Sequence, residues 1–297
     1  MAYLHNNKDQ FQDAIELAYE QTGIMAQAIE KDYYVTMLLR LLSEKMPYIV
    51  FKGGTSLSKC HKVIKRFSED IDITIDTQIS QGKKKKIKQA IVSSADELGM
   101  NIENLDETRS RRDYNRYIIS YDSVLPLSSD ALSPAVLLET SYTAISFPTV
   151  ILPVHSYIGD MMDEEAPDSI EEFMLLPFSM KVQGIDRTLA DKVFAICDYY
   201  LQGKVQKHSR HIYDIYKLLP LIPQDETFKD LVHEAQSPIC LSALPDVNVP
   251  QLLEQIIEEK AYKNDYDNLT TQLLEEKLSY DIVINSLKDI SKSGIFK

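Results

Sequence analysis

The chain has 297 residues, of which 44% are hydrophobic and 26% charged, and it carries a formal net charge of -13 at pH 7. Such a chain is typical of a globular protein with a substantial core, and its length leads us to expect two domains. The negative balance argues against polyanion binding over the whole surface, because that binding rests on counterion release by Lys and Arg. Any nucleic-acid contact is therefore expected to be local.

Hydropathy and cysteine usage exclude further classes. No apolar run reaches the length of a membrane span, and the N-terminus lacks the basic region and apolar core of a signal peptide. We therefore expect a cytoplasmic protein with no membrane partner. Cys60, Cys197 and Cys240 are widely separated and form no Cys-x-x-Cys pair, which indicates neither a disulfide framework nor a zinc site.

Two helices are predicted ahead of the first strand. In residues 10–22 the apolar side chains recur at helical spacing. A longer amphipathic pattern covers residues 25–44. Within it, the Glu-Lys-Asp turn at residues 30–32 is interpreted as exposed, and no chemistry is assigned to Lys31 or Asp32.

A glycine turn follows the first predicted strand. The apolar run at residues 48–51 indicates a buried strand, and Gly53-Gly54 permits a tight turn with close approach of the backbone. A helix is expected to begin near Thr55, capped by the hydroxyl of Thr55 or Ser56. Its free amides and positive dipole end would hold an anionic phosphate at the turn.

A second strand is predicted at residues 71–75, and it brings two carboxylates with it. Asp70 and Asp72 are two residues apart, so they share a face while Ile71 and Ile73 point into the core. Two like charges that close repel, and a divalent cation relieves the repulsion. Hard oxygen ligands suit Mg²⁺ or Mn²⁺. A phosphate turn followed by an Asp-x-Asp strand is the arrangement of two-metal phosphoryl transfer.

Together the two features resemble a known family. Residues 52–59 (Lys-Gly-Gly-Thr-Ser-Leu-Ser-Lys) and 66–72 (Arg-Phe-Ser-Glu-Asp-Ile-Asp) resemble the signature of the AbiEii/AbiGii (MenT-like) nucleotidyltransferase toxins, a branch of the DNA-polymerase-β-type superfamily. A solvated charged strand is the alternative. The resemblance implies that the first motif binds the nucleotide through Lys52, Gly53, Gly54, Thr55 and Ser56.

A third carboxylate is a candidate metal ligand. After a helix at residues 87–98, a strand at 116–121 and a loop at 122–134, the next predicted strand is 135–141. Glu139 lies within its apolar run. Polymerase-β-type sites use a third carboxylate from a neighbouring strand, and this segment resembles the family's, which implies a metal role for Glu139. A structural salt bridge is the alternative.

The chain becomes helical toward its C-terminus. Residues 146–177, with four prolines and an acidic patch, are interpreted as a crossing between domains, and one more strand follows at 178–182. Helices are then predicted at 186–201, 209–219, 228–235, 249–262 and 269–288. The fold class is thus α+β: with the resemblance, a polymerase-β-like mixed sheet with helices in residues 1–184, followed by a helical domain in residues 185–297.

Two of these helices carry a second set of charges. Lys192 lies on one, and Arg210 and Asp214 lie on the next. Such helices normally pack antiparallel, so Lys192 and Asp214 can face each other, and a surface ion pair is the ordinary interpretation. The resemblance implies instead that Lys192 neutralises the triphosphate, Arg210 contacts phosphate or the acceptor, and Asp214 holds one of these cations. His208 and His211 are interpreted as loop and cap residues.

Three basic groups are candidates for a local nucleic-acid contact. For the first, residues 83–88, a solvated helix start is the alternative. The others are residues 204–211 and the arginines Arg109, Arg111, Arg112 and Arg116.

The resemblance implies a metal-dependent enzyme that moves a nucleoside monophosphate from a nucleoside triphosphate onto a hydroxyl. The metal, Mg²⁺ or Mn²⁺, would be held by Asp70, Asp72 and Glu139, and the implied catalytic residues are Asp70, Asp72, Lys192 and Asp214. The implied acceptor is the 3′ end of tRNA, and the protein would be a toxin with a winged-helix antitoxin encoded alongside. The alternatives are a transferase that modifies a small molecule or protein, and a non-catalytic nucleotide-binding module.

Overall fold

A computed structural model describes residues 3–77, 79–126, 132–142, 147–236 and 247–297, with the backbone alone for Asp168. The chain divides into two units. The first, called here the sheet unit, contains Met1–Cys60, Ser68–Tyr142 and Ile151–Val182, and the second, the helical unit, contains His61–Phe67, Thr143–Val150 and Gln183–Lys297. The predicted division into residues 1–184 and 185–297 stays a prediction.

The strands of the described part are β1 (Val50–Lys52), β2 (Ile71–Thr74), β3 (Asn101–Ile102), β4 (Tyr114–Ser120), β5 (Ala135–Ser141), β6 (Thr149–Val154) and β7 (Phe178–Gln183). They form a mixed seven-stranded sheet in the order β3-β4-β5-β2-β1-β7-β6. β1 pairs antiparallel with β2 and parallel with β7, while β5 pairs parallel with β2 and antiparallel with β4. The inner side chains Phe51, Ile73 and Leu138 are buried in the core.

The sheet unit contains the helices α1 (Lys8–Thr22), α2 (Ala26–Lys45), α3 (Gly53–Lys59), α4 (Gln81–Glu97), α5 (Tyr157–Glu165) and α6 (Pro167–Ile170). Local signals define several of their ends. Asn7 caps α1 by accepting a hydrogen bond from the Gln10 amide, and Gly23 ends that helix with φ 70°. Ser80 caps α4 in the same way, accepting from the Lys83 amide.

Residues 146–177 were expected to cross between domains, and the boundary between the two units falls within this range, between Val150 and Ile151. In the described part of this range the chain forms β6, α5 and α6, and residues 151–182 belong to the sheet unit. The four prolines of this range favoured a prediction of irregular structure over a strand and helices. β6 is an edge strand, which is where a sheet tolerates a proline such as Pro153. Pro167 lies in the first turn of α6, where a helix accepts it.

The helical unit contains α7 (Ile185–Leu201), α8 (Arg210–Leu218), α9 (Glu226–Ala235), α10 (Val249–Glu258), α11 (Lys263–Asp265), α12 (Thr271–Leu273), α13 (Tyr280–Val283) and α14 (Asn285–Ser293). The single helix predicted at 269–288 is therefore wrong. The middle of residues 269–288 is extended because it pairs with the segment around Arg66. Leu274 forms an antiparallel bridge with Arg66, and the Glu275 amide donates to the Lys65 carbonyl.

Every helix among the described residues falls short of the length or the hydrophobicity that a bilayer-spanning segment needs. Cys60 and Cys197 are buried free thiols, whereas Cys240 lies outside the described residues. The loop predicted at 122–134 also includes residues 127–131, which lie outside them.

Candidate active site

Two aspartates mark the start of β2. Asp70 directly precedes the strand and Asp72 lies within it. Both are half-buried, whereas at most 1% of Ile71 and Ile73 is exposed. The alternation predicted for β2 is confirmed: Ile71 and Ile73 enter the core, and Asp72 between them lies on the other face.

Four charged side chains form a row across the centre of the sheet. Asp72 is in register with Lys52 on β1 and with Glu139 on β5. Glu139 is in register with Arg116 on β4, and 3.7 Å separates Arg116 Nε from Glu139 Oε1. Residues in register on paired strands point to the same face. Two adjacent carboxylates are thus flanked by a cation at each end, and Glu139 both makes a salt bridge and lies beside Asp72.

The donor set of this row can be compared with what a metal ion requires. Among the described residues, no three His, Cys, Asp or Glu side chains are arranged to hold one metal ion. The registered pair Asp72 and Glu139 nevertheless fits Mg²⁺ or Mn²⁺, because such ions are bound by one or two carboxylates while waters and substrate phosphates complete the shell. The metal role of Asp70, Asp72 and Glu139 stays a prediction.

The turn between β1 and α3 requires glycine at position 53. Gly53 has φ 80°, a left-handed conformation that other residues adopt at a cost. A Cβ placed there would overlap Oδ2 of Asp72 and lie 3.0 Å from the carboxyl carbon. The close backbone approach predicted for this turn is confirmed, and the group that approaches is the Asp72 carboxylate.

The expected cap of α3 is wrong. The helix begins at Gly53, so Lys52 is its N-cap residue, and that side chain makes no capping hydrogen bond. The hydroxyls of Thr55 and Ser56 are engaged elsewhere: 3.0 Å separates Thr55 Oγ1 from Ser68 Oγ, and Ser56 Oγ donates to the Gly53 carbonyl. Any phosphate bound here would therefore meet backbone amides rather than these hydroxyls.

Tyr114 lies at the start of β4, two residues before Arg116. Sequence reasoning did not single it out as a site residue. Partial desolvation and a hydrogen bond to Glu139 raise the pKa of its phenol, and the charge of Asp72 adds to the shift. The tyrosine therefore responds to both carboxylates and remains a hydrogen-bond donor at neutral pH.

Two ion pairs connect the start of α2 with the motif segments. Lys31 pairs with Glu69, and 2.5 Å separates Asp32 Oδ1 from Lys59 Nζ. Since 3% of Lys31 is exposed, the exposed turn expected at residues 30–32 is wrong. Burial of these charges is tolerated because each has an opposite charge in contact.

In the helical unit, Asp214 is the centre of a buried network. Arg66 donates from Nε to Oδ1 and from Nη2 to Oδ2 of Asp214, with both distances 2.7 Å. Lys192 Nζ lies 2.5 Å from Oδ2. The exposed fractions are 0% for Asp214, 3% for Arg66 and 5% for Lys192. The interpretation as a surface ion pair is therefore wrong.

One carboxylate in this network compensates two cations. Burial alone would raise the pKa of Asp214, but Arg66 and Lys192 outweigh it and hold that pKa well below its usual range. Burial lowers the pKa of Lys192, the Asp214 charge opposes this, and the Arg66 charge adds to it. Removal of Asp214 would take away the carboxylate that both buried cations contact.

Arg210 is the first residue of α8, and its charge helps to lower the pKa of both Lys192 and His211. Burial is the main cause for His211, whose pKa lies well below its usual value. His211 is not a cap residue, because Ser209 is the residue that precedes the helix. His208 lies in the preceding loop, as predicted, and stacks on Tyr199 with ring centroids 3.5 Å apart.

The predicted residues thus fall into two groups. The sheet unit brings together Lys52, Gly53, Gly54, Thr55, Ser56, Asp70, Asp72 and Glu139, and the helical unit holds Lys192, Arg210 and Asp214. Sequence reasoning missed Arg66 as the partner of Asp214. The one available signal was that Arg66 begins the second motif, at residues 66–72. A cation buried at that position would need a carboxylate partner.

Comparison with known proteins identifies the family. A sequence profile described as "Nucleotidyl transferase AbiEii toxin, Type IV TA system" matches residues 37–286, a range that includes both carboxylate strands and both charged helices. The chain belongs to the AbiEii nucleotidyltransferase toxin family. It is therefore a nucleotidyltransferase and the toxin of a toxin–antitoxin system, and AbiEii membership implies a nucleoside triphosphate substrate and an antitoxin partner.

A solved structure supports the fold of this AbiEii protein. The chain is similar in structure to MenT4, a nucleotidyltransferase toxin from Mycobacterium tuberculosis H37Rv. The TM-score is 0.52 and the sequence identity is 14%, and the match covers 94% of this chain and 87% of MenT4. At this identity the likeness shows a shared fold, and the predicted α+β class is confirmed. No functionally curated protein matches the chain. The predicted family and enzyme class are also confirmed.

Proposed function

We propose that this toxin uses a divalent metal ion to transfer a nucleoside monophosphate to the 3′-terminal hydroxyl of a tRNA, with release of pyrophosphate. The observation that carries the proposal is the register of Asp72 with Glu139, beside the Gly53 turn. Two adjacent carboxylates repel each other unless a cation compensates them, and the free amides of the turn suit a phosphate-bearing substrate. The tRNA acceptor rests on the resemblance to MenT-like toxins.

Asp70, Asp72 and Glu139 would hold Mg²⁺ or Mn²⁺. When bound, such an ion activates the attacking hydroxyl and neutralises charge on the triphosphate. The chain's part is to fix the ligands: β2 and β5 set Asp72 and Glu139 side by side, and Arg116 contacts Glu139 from its other side. The acceptor hydroxyl forms the new bond to the α-phosphorus, and pyrophosphate leaves.

The first turn of α3 and Lys52 are proposed to bind the triphosphate. Gly53 and Gly54 give the backbone close access, and the amides of Thr55 and Ser56 follow them. The Lys52 side chain stands next to Asp72 in register, so it can neutralise phosphate charge at the same place.

In the helical unit, we assign Lys192 to the negative charge that develops on the triphosphate and Arg210 to a phosphate or to the acceptor strand. Asp214 would act as a positioning residue. Its support is the 2.5 Å contact with Lys192, together with the two hydrogen bonds from Arg66 that fix the carboxylate plane.

The antitoxin is proposed to be a winged-helix protein encoded alongside the toxin. Modification of tRNA would take place in the cytoplasm and would stop translation, so expression in a bacterial host should arrest growth.

The test is incubation of the purified protein with each labelled nucleoside triphosphate in turn and total cellular RNA, followed by a denaturing gel. We expect label from one triphosphate to appear in the tRNA band, and to be absent with Asp72→Asn. Label in a protein or a small metabolite, and none in RNA, would refute the tRNA acceptor and support the alternative transferase.

A further inference from the structure

Helix α4 and the loop between β3 and β4 form a basic surface in the sheet unit, defined here as residues 81–88 and 103–116. These stretches contain five lysines and four arginines, and they contain four acidic residues. The whole chain has a net charge of -13. A local excess of positive charge on such a protein departs strongly from the average composition of its surface.

Direct contacts join the two stretches of the basic surface. Lys88 Nζ donates to the carbonyl and to Oγ1 of Thr108, at 2.9 and 2.8 Å, and Lys84 pairs with Asp113. Desolvation lowers the pKa of Lys88, and the charge of Arg109 lowers it further. Two basic groups that are separate in the sequence are therefore continuous in the fold.

Most cations of this surface are available to a partner. The exposed ones are Lys83, Lys85, Lys86, Arg109, Arg111, Arg112 and Arg116. An open depression of about 500 Å³ lies between helix and loop, and its lining includes Lys85, Lys88, Asp96 and Leu105. The exposed cations of the two stretches outnumber their acidic residues, and a local excess of one charge attracts polyanions and raises their rate of association.

The basic surface continues into the carboxylate row. Its loop runs directly into β4, where Arg116 is in register with Glu139. Arg116 is four positions after Arg112, so the chain between them spans at most about 14 Å. That distance corresponds to about four base pairs of a nucleic-acid duplex, which carries a phosphate on each strand every ~3.4 Å along its axis.

We propose that the basic surface binds the phosphate backbone of the acceptor RNA, a few nucleotides from the reacting hydroxyl. The inference rests on the proposed function, because it takes the acceptor to be RNA. Contacts to phosphates fix the position and orientation of a nucleic acid and carry no base information. The basic surface therefore supplies affinity for RNA and positions its terminal nucleotide near the carboxylates. The choice between different RNAs would then depend on the structure of the RNA 3′ end.

Two charge-reversal variants test the surface, Lys85→Glu with Lys86→Glu on the helix and Arg111→Glu with Arg112→Glu on the loop. The matched control is Lys288→Glu with Lys292→Glu, two exposed lysines of α14 that give the same change in charge. Binding of labelled tRNA is measured without nucleotide over a series of salt concentrations. Each surface variant should bind about tenfold or more weakly, and its slope of log affinity against log salt should be smaller by about two.

Kinetics separate binding from chemistry. The surface variants should raise KM for RNA by a similar factor and leave KM for the triphosphate unchanged. RNA binding by both surface variants as tight as that of the control would overturn the inference, and the surface would then suit an acidic protein partner. Wild-type protein that binds RNA through this surface but labels none would sustain the inference and refute the proposed function. Wild-type protein that binds no RNA would refute both.

Discussion

Asp72 is the residue at which the constraints of the sheet unit meet. Its carboxylate lies between Glu139 and Lys52 in the register of the sheet, and it fills the space that a side chain at Gly53 would need. A substitution at this position tests the chemistry only when it keeps the shape of the side chain.

Asp72→Asn is expected to abolish transfer and to leave the fold intact, because the amide has nearly the shape of the carboxylate and lacks the charge that a metal ion requires. A loss of thousands-fold in rate, about 4 kcal/mol in barrier, is expected, and Asp70→Asn should behave alike. The measurements are transfer rate at saturating magnesium and the thermal unfolding midpoint. Asp163→Asn, at an exposed position on α5, is the control. A variant that keeps more than about a tenth of the rate contradicts the metal role.

Gly53→Ala should destabilise the protein and also lower its activity. The residue would hold φ 80° at a cost of about 1–2 kcal/mol, and its methyl group would displace the Asp72 carboxylate. Gly82→Ala is the contrasting variant. Its Cβ would come no nearer than 3.8 Å to Ser80 Oγ, and Ala in a helix is more stable than Gly by roughly 0.5–1 kcal/mol. Urea unfolding should show opposite signs, and equal effects of the two substitutions would contradict the steric argument.

The placement of residues on a strand face was predictable where the signal was local. Asp70, Asp72 and Glu139 each lie in a short apolar run, and the two-residue period of a strand fixes their face. Arg66 was out of reach because its partner Asp214 is 148 residues away. A buried pair of charges leaves no periodic pattern in the sequence, so only the folded chain reveals it.

At the scale of elements, α7, α8 and the segment around Arg66 meet at Asp214, which allows the structural and catalytic roles of Lys192 to be separated. Lys192→Met leaves the Arg66–Asp214 pair intact and should cost little stability. Asp214→Asn removes the carboxylate that two buried cations contact and should cost about 3–5 kcal/mol. Unfolding by urea compares the two, and a larger loss for Lys192→Met would contradict the assignment of Asp214 as the shared partner.

Lys192→Met also tests catalysis. If Lys192 stabilises charge in the transition state, turnover should fall by about 100-fold or more, ~3 kcal/mol, while metal affinity changes little. Single-turnover rates across a magnesium series make the distinction. A folded variant with the wild-type rate would leave the helix pair with a structural role alone.

Elements with strong local periodicity were predicted closely: the strand expected at residues 135–141 is observed as Ala135–Ser141. The failures depend on partners elsewhere in the chain. β6 is possible despite Pro153 because it lies at the edge of the sheet. The predicted helix at 269–288 is interrupted because its middle pairs with the segment around Arg66. Neither pairing can be deduced from the segment itself.

For the whole molecule, acid is expected to weaken the fold before its carboxylates titrate. Of the six histidines, four have pKa values lowered mainly by burial: His5, to about 4, and His61, His208 and His211. In the unfolded chain they titrate near 6.5. Below that pH the unfolded state binds protons that the folded state does not, so stability falls as pH falls.

Urea unfolding between about pH 7 and about pH 5 should show this loss. One ring contributes at most about 1.4 kcal/mol per pH unit, and these half-buried rings contribute less because solvent screens them. His211→Gln should make the dependence shallower. A free energy of unfolding that stays constant over this range would contradict the burial of the four rings.

The helical unit takes its first segment, His61–Phe67, from far upstream of the rest. Arg66 reaches Asp214 across 148 residues, and the Phe67 amide donates to the Leu273 carbonyl. At a synthesis rate of about 5–20 residues per second, Arg66 is made roughly 7–30 s before its partner exists. Because Arg66 and Lys192 both precede Asp214 in the chain, the buried network of the helical unit can close only after residue 214 has been synthesised.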